Sequence, residues 1–189
     1  MRVTGGSLGG RKLVSPEDGR VRPTSDRARQ AIFNILEHRD FGLNFAIADA
    51  AVVDLFAGTG AMGIEALSRG ARFCLMVDDD ADSRALAREN VEALALTGAT
   101  KIWRRDATQL GPLGPGSGGP FNLAFLDPPY GKGLIAPTLA SLRDGGWLAE
   151  GALIVAETDI AEILEAPGFT EIDARDYGKA RVRFLTASE

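Results

Sequence analysis

The sequence predicts a doubly wound α/β fold with a mostly parallel, seven-stranded sheet, an antiparallel C-terminal hairpin and a small N-terminal helical and extended segment. Three observations carry this. From residue 46 onward, short apolar runs alternate with amphipathic stretches, the pattern of parallel strands joined by crossover helices. A glycine-rich turn, Gly58-Thr59-Gly60, directly follows the first apolar run, at the strand-to-helix position where open α/β sheets hold ligands. The last two apolar runs are separated only by Gly178-Lys179, a hairpin spacing that adds an antiparallel edge.

Residues 1–24 are rich in Gly, Arg and Pro, with extended pieces expected at 2–4 and 12–15. Thr24 or Ser25 is positioned to cap a helix running to about residue 37, with Ala28, Ala31, Ile32, Ile35 and Leu36 at helical spacing. Strands are then predicted at 51–56, 73–77, 101–104, 121–126 and 152–157. Helices are predicted at 61–68, closed by Gly70, at 82–96, with Ala85, Leu86, Val91 and Leu94 as the buried stripe, at 134–142, and as a short piece at 160–164. Segments 171–177 and 180–185 complete the hairpin. Residues 111–120 hold five Gly and three Pro and are expected to form a solvent loop. The division is an extension over 1–40 and a main domain over 41–189.

The chain has 189 residues, 45% apolar and 25% charged, enough for one substantial core. No run approaches the roughly 20 apolar residues of a bilayer span, and Arg2, Arg11 and Lys12 among glycines do not form a secretory signal. Cys74 is the only cysteine and His38 the only histidine, which excludes internal disulfides, cysteine metal clusters, and His-centred triads or zinc motifs. Cys74 is expected as a buried small hydrophobe and His38 as an exposed residue at a helix end. These features point to a cytoplasmic protein that uses no metal. The net charge is −5, but residues 1–36 carry +4 and the remainder −9. A basic arm on an acidic body attracts phosphate locally, because surface fields decay within about 10 Å in physiological salt.

With Gly63, the glycine turn has the spacing G-x-G-x-x-G, which lets backbone approach a ligand closely. Nucleotide-cofactor enzymes of several kinds share this spacing, so the Rossmann-like loop alone does not name the cofactor. Two carboxylates bear on the cofactor: Asp54 favours S-adenosylmethionine, and the role of Asp78 is common to NAD and S-adenosylmethionine sites. Asp54 lies within the strand, four residues before Gly58, where a carboxylate suits an amino group and a sulfonium. Asp78 follows the second apolar run, where a carboxylate accepts from ribose hydroxyls; Asp79 and Asp80 come next. Asp106, with Ala107, follows the third run and is placed to reach an adenine amino group. Phe56, Ala57, Gly58, Thr59 and Gly60 complete the expected cofactor set.

Asp127-Pro128-Pro129-Tyr130 follows the fourth apolar run. Two prolines fix φ twice and remove two N–H donors, so the carbonyls there are available to a pocket. An exocyclic amino nitrogen on a base is a poor nucleophile, because its lone pair is delocalised into the ring. Asp127 and the Pro128 carbonyl would accept its two hydrogens, and Tyr130 would stack on the extruded base.

The glycine loop and this tetrapeptide together resemble class I amino-methyltransferases that act on nucleic acids. Further segments resemble the RsmD-type ribosomal RNA guanine-N2 methyltransferases: Arg2-Val3-Thr4-Gly5-Gly6 with Gly10-Arg11-Lys12-Leu13, the run from Arg22-Pro23-Thr24-Ser25-Asp26-Arg27 to Leu36, the loop and helix from Ala57 to Ala71, and Tyr177-Gly178-Lys179 with Arg181-Val182. The resemblance implies methylation of one guanine N2 in small-subunit ribosomal RNA, with S-adenosylhomocysteine as by-product. It implies a monomer whose partner is the small ribosomal subunit or its RNA. Arg11, Lys12, Arg20, Arg22, Thr24, Arg27 and Arg29 would contact the RNA. The row Asp78-Asp79-Asp80 and the long 111–120 loop depart from the family pattern. Rival readings are a DNA adenine or cytosine amino-methyltransferase, a cofactor-binding ribosome-assembly factor, and an NAD-linked oxidoreductase, which leaves the tetrapeptide unexplained.

Overall fold

Strands β1 (Ala51–Leu55), β2 (Phe73–Val77), β3 (Thr100–Trp103), β4 (Phe121–Leu126), β5 (Leu148–Asp159), β6 (Phe169–Tyr177) and β7 (Ala180–Ala187) form one sheet in the order β3-β2-β1-β4-β5-β7-β6. The computed structural model describes residues 1–16 and 25–188. Strands β1 to β5 pair in parallel, whereas β7 runs antiparallel to both β5 and β6. The chain winds from β1 outward through β2 and β3, then returns to β4 on the other side of β1. The carboxyl ends of β1 and β4 therefore flank the switch point, where such sheets open a crevice.

The central strands are largely apolar, as burial on both faces requires, with Asp54 a buried polar exception in β1: β1 is buried at all five positions and β2 at four of five. Four helices cover the sheet, α1 (Asp26–His38), α2 (Ala61–Ser68), α3 (Ala81–Ala93) and α4 (Ile135–Asp144). Ser25 caps α1, its side chain accepting from the Ala28 N–H, and Asp80 caps α3 by accepting from the Ser83 N–H. The N-terminal segment contributes Val3 and Leu13 to the core around Val52, Ile64 and Phe125. Its extended pieces meet at an antiparallel bridge between Arg2 and Lys12.

Several expectations are corrected. Helix α1 buries Arg29, Ile32, Phe33 and Leu36, so its inward face is turned from the expected stripe and Ala28 and Ala31 face a cavity instead. Helix α3 turns similarly, burying Ala87, Asn90 and Val91 while Ala85 stays exposed. No helix forms at 160–164; the Asp159 carboxylate accepts from the Ala161 N–H at 2.8 Å and turns the chain out of the long β5. The 111–120 loop is partly packed. Trp147 Nε1 donates to the Gly111 carbonyl, the Leu113 N–H donates to the Gly145 carbonyl, and Ser117 is buried. The loop leads into the start of β4, at the sheet edge opposite the crevice. As expected, Cys74 is buried, with its thiol pKa pushed well above the usual value by burial, and His38 ends α1 exposed.

Candidate active site

Helix α2 begins at Gly60, whose φ of 77° lies in the left-handed region, where glycine carries no penalty. A Cβ at Gly60 would come within 2.9 Å of Met76 Sδ, and one at Gly63 within 2.6 Å of Cys74 Sγ. Both positions thus need glycine, one for conformation and the other for helix-to-sheet packing. Phe56 and Gly58 also have positive φ, 59° and 55°, so the turn is set by several residues held together.

Three polar side chains hold it. Asp78 Oδ2 accepts from the Gly58 N–H at 2.9 Å, and its Oδ1 accepts from the Asp80 N–H at 3.0 Å. Asp54 Oδ2 accepts from the Gly63 N–H at 2.9 Å. Asn90 donates from Nδ2 to the carbonyls of Thr59 and Val14, both at 3.0 Å, and accepts from the Val14 N–H at 2.7 Å. Asn90 thereby ties the N-terminal segment to the glycine loop, a role visible only once the fold brings these distant positions together.

The carboxyl groups differ in how tightly they hold a proton. Burial drives the Asp54 pKa up to about 8, against the Gly63 hydrogen bond that lowers it, with nearby Asp78 adding a further push upward. The Asp54 carboxyl, expected in the cofactor set, therefore holds its proton more tightly than an ordinary aspartate. Burial also raises Asp78, although hydrogen bonds from Gly58 and Asp80 oppose it. Asp80 is lowered, chiefly by its hydrogen bonds with Ser83 at the α3 cap. The row of three aspartates thus divides its work: Asp80 caps a helix, while half-buried Asp78 braces the glycine loop.

A cavity of about 430 Å³ opens at the switch point, lined by Asp54, Phe56, Ala57, Gly58, Thr59, the row 78–80 and Ser83 on one side and by Asp127, Pro128, Pro129 and Tyr130 on the other. Its size is within the roughly 300–1,000 Å³ typical of small-molecule sites. The β1–β4 register, Leu55 opposite Leu126, makes this inevitable: the residues after each strand start from the same level. Pro128 is buried and Asp127 half-buried, whereas Pro129 is exposed and Tyr130 is 40% exposed. Gly60, also expected in the cofactor set, is buried and does not line the cavity. Asp106 and Ala107, expected at the same site, do not line the cavity. Asp106 Oδ1 accepts from the Thr108 N–H and hydroxyl at 2.8 and 2.7 Å, and Ala107 is buried in the core.

The expected RNA residues separate in the same way. Arg11, Lys12 and Arg27 are exposed, while Arg20, Arg22 and Thr24 lie outside the described residues. Arg29 is corrected from a surface cation to an internal one: its side chain is 1% exposed and ion-paired with Glu65 and Asp26. Glu157, at the end of β5, was not among the expected residues, yet its carboxylate accepts from the Tyr130 hydroxyl. The rule that singled out Asp78, a carboxylate directly after a buried apolar run, applies equally to Glu157 after Leu153–Ala156.

A family model described as "Conserved hypothetical protein 95" matches residues 1–186. "Ribosomal RNA small subunit methyltransferase D" of Escherichia coli K12 is 38% identical over 160 residues, covering 85% of this chain and 75% of that protein. The chain belongs to the RsmD family of methyltransferases. The namesake of that E. coli protein in Haemophilus influenzae is 29% identical over 167 residues, 88% of this chain and 83% of that one. Among solved structures, E. coli YhhF superposes with a TM-score of 0.81 at 30% identity, covering 100% of this chain and 98% of the other. A hypothetical protein of Thermus thermophilus, TTHA0928, gives 0.72 at 26% identity, covering 97% and 98%. The RsmD-type fold extends through the N-terminal segment, and the mixed sheet is Rossmann-like, as expected. Among the described residues no helix is long and apolar enough to cross a membrane.

Proposed function

We propose that this RsmD-family methyltransferase transfers a methyl group from S-adenosylmethionine to the exocyclic N2 of a guanine in small-subunit ribosomal RNA. One observation carries the reading: Asp127-Pro128-Pro129-Tyr130 and the glycine loop line a single cavity at the switch point. The names of the RsmD relatives support ribosomal RNA over DNA as the polymer.

The cavity fits the cofactor in size and chemistry. Asp78, which uses one hydrogen bond on each oxygen within the protein, keeps acceptor capacity for ribose hydroxyls, because a carboxylate offers about four lone-pair sites. Backbone of Phe56–Gly60 would face the amino-acid end, and Asp54 would meet the cofactor's positive charge by giving up its proton. Bound there, S-adenosylmethionine supplies a methyl group activated by a sulfonium leaving group.

The protein's own part is positioning. The Asp127 carboxylate and the Pro128 carbonyl accept the two amino hydrogens, directing the nitrogen lone pair toward the cofactor cavity. As the N–C bond forms the amino group loses one proton, which Asp127 receives and passes to solvent; S-adenosylhomocysteine remains. The Tyr130 ring supports the base. Residues 1–40 serve as the RNA-contacting extension, through Arg11, Lys12, Arg27 and the segment holding Arg20, Arg22 and Thr24, and residues 41–189 as the cofactor domain of a cytoplasmic monomer. Methyl transfer from labelled cofactor to unmethylated small subunits, followed by nucleoside mass spectrometry, tests the reading. N2-methylguanosine is the expected product, and label in another nucleoside or none would overturn it.

A further inference from the structure

A second cavity of about 560 Å³ adjoins the first and shares Tyr130 with it. Arg27, Ala28 and Ala31 of α1 form one side, and Glu157 with Tyr177 and Gly178 of the hairpin form another. The hairpin reaches this edge because β7 runs antiparallel to β5, placing Ala180 opposite Asp159. A narrow cleft between the two cavities is lined by both Asp127 and Glu157. The register accounts for that pairing: Leu126 lies opposite Ala156 in parallel strands, so the next residue of each strand is a carboxylate at the same level.

Two neighbouring carboxylates match one base edge. Guanine presents two adjacent donors, the N2 amino group and the N1–H. Adenine and cytosine present an amino group beside an unprotonated ring nitrogen, whose lone pair a carboxylate repels. Resting on the reading of a guanine N2 target, we propose that the second cavity receives the flipped base and that Glu157 accepts the guanine N1–H while Asp127 holds the N2 amino group. Glu157 is then the residue that selects guanine among the amino-bearing bases. The Tyr130 hydroxyl donates to Glu157 and orients the carboxylate. The small side chains of Ala28 and Ala31 leave room for the base, Tyr130 and Tyr177 supply flat apolar walls, and exposed Arg27 stands at the rim to meet a phosphate.

The test uses small subunits reconstituted on ligated ribosomal RNA carrying either guanosine or 2-aminopurine ribonucleoside at the methylated position. The analogue keeps the 2-amino group but has no N1–H. The native enzyme is expected to prefer guanosine by about 100-fold or more in kcat/KM, since a site built for a donor rejects a base lacking it. Glu157→Gln, whose amide can donate to an unprotonated N1, is expected to bring that ratio below about 10 with S-adenosylmethionine affinity within two-fold of native by calorimetry. Glu157→Ala is expected to lose the preference as well. If both variants slow the two substrates equally and leave the ratio unchanged, Glu157 does not read the base, although N2 methylation stands. If the native enzyme makes no N2-methylguanosine on the guanosine substrate, the proposed function fails and this inference with it.

Discussion

Arg29 Nε donates to Glu65 Oε2 at 3.2 Å, with side-chain exposures of 1% and 0%, and so joins α1 of the N-terminal segment to α2 at the edge of the cavity that Arg29 also lines. The Glu65 carboxylate also accepts from the Thr4 N–H and hydroxyl and from Arg69 Nε, so each buried charge meets several opposing dipoles or charges. Removing Arg29 leaves buried Glu65 with Arg69 as its remaining cation and deletes the hydrogen bonds of a buried guanidinium, at a cost of about 3–5 kcal/mol. Arg29→Leu is therefore expected to lower Tm by roughly 6–20 °C, using 2–4 °C per kcal/mol for a chain of this size. Thermal unfolding followed by circular dichroism checks this, and a change under about 2 °C would return Arg29 to the surface.

Asp54 makes stability depend on pH in a defined direction. Its folded-state pKa, about 8, lies above the ordinary aspartate value of 3.8, so the folded state holds a proton that the unfolded chain releases between those values. The favourable contribution is complete below about pH 4 and lost as pH rises through 8. Asp54→Asn keeps an acceptor for the Gly63 N–H and has no charge to bury. Its Tm is expected to exceed that of the native protein by about 4 °C or more at pH 9, with the gap closing toward pH 4. Melting curves across that range decide it, and a gap independent of pH would contradict it.

The cofactor contacts are separable by mutation. Asp78→Ala is expected to weaken S-adenosylmethionine about 10- to 100-fold, the range for hydrogen bonds to a charged group. Asp106→Ala, away from the cavity, should change affinity less than about three-fold. Titration calorimetry on both variants measures this, and the opposite order would move the adenine end toward β3.

The arm's cations predict a salt effect. Replacing Arg11, Lys12 and Arg27 together with Gln should reduce the slope of log affinity against log salt by about 2, at roughly 0.7 per phosphate contact with single-stranded RNA. An unchanged slope for binding to small subunits would remove these three residues from the interface.

Much of this is legible in the sequence because it is local. Apolar runs and period-3.6 patterns locate all seven strands and four of the helices, and the residues after β1, β2 and β4 form the crevice because parallel register brings strand ends level. What the sequence conceals depends on distant partners. Arg29 reads as a basic-arm residue until Glu65, 36 positions away, is folded against it. Asn90 looks like a polar helix residue until it meets the Thr59 and Val14 carbonyls. Asp106 reads as a strand-end carboxylate like Asp78, but β3 stops at Trp103 and Asp106 accepts from Thr108 as a local cap instead. At 160–164 the apolar spacing suggests a helix, but Asp159 closes a turn first.

In the proposed reaction Asp127 positions a guanine amino group for methylation. Small-subunit ribosomal RNA from a strain lacking this protein, complemented with either the native gene or Asp127→Asn, can be digested to nucleosides and analysed by mass spectrometry. One N2-methylguanosine is expected to be missing from the deletion strain, restored by the native protein and absent with Asp127→Asn, although the purified variant still binds S-adenosylmethionine. Restoration by Asp127→Asn, or an N2-methylguanosine content unaffected by the deletion, would contradict it.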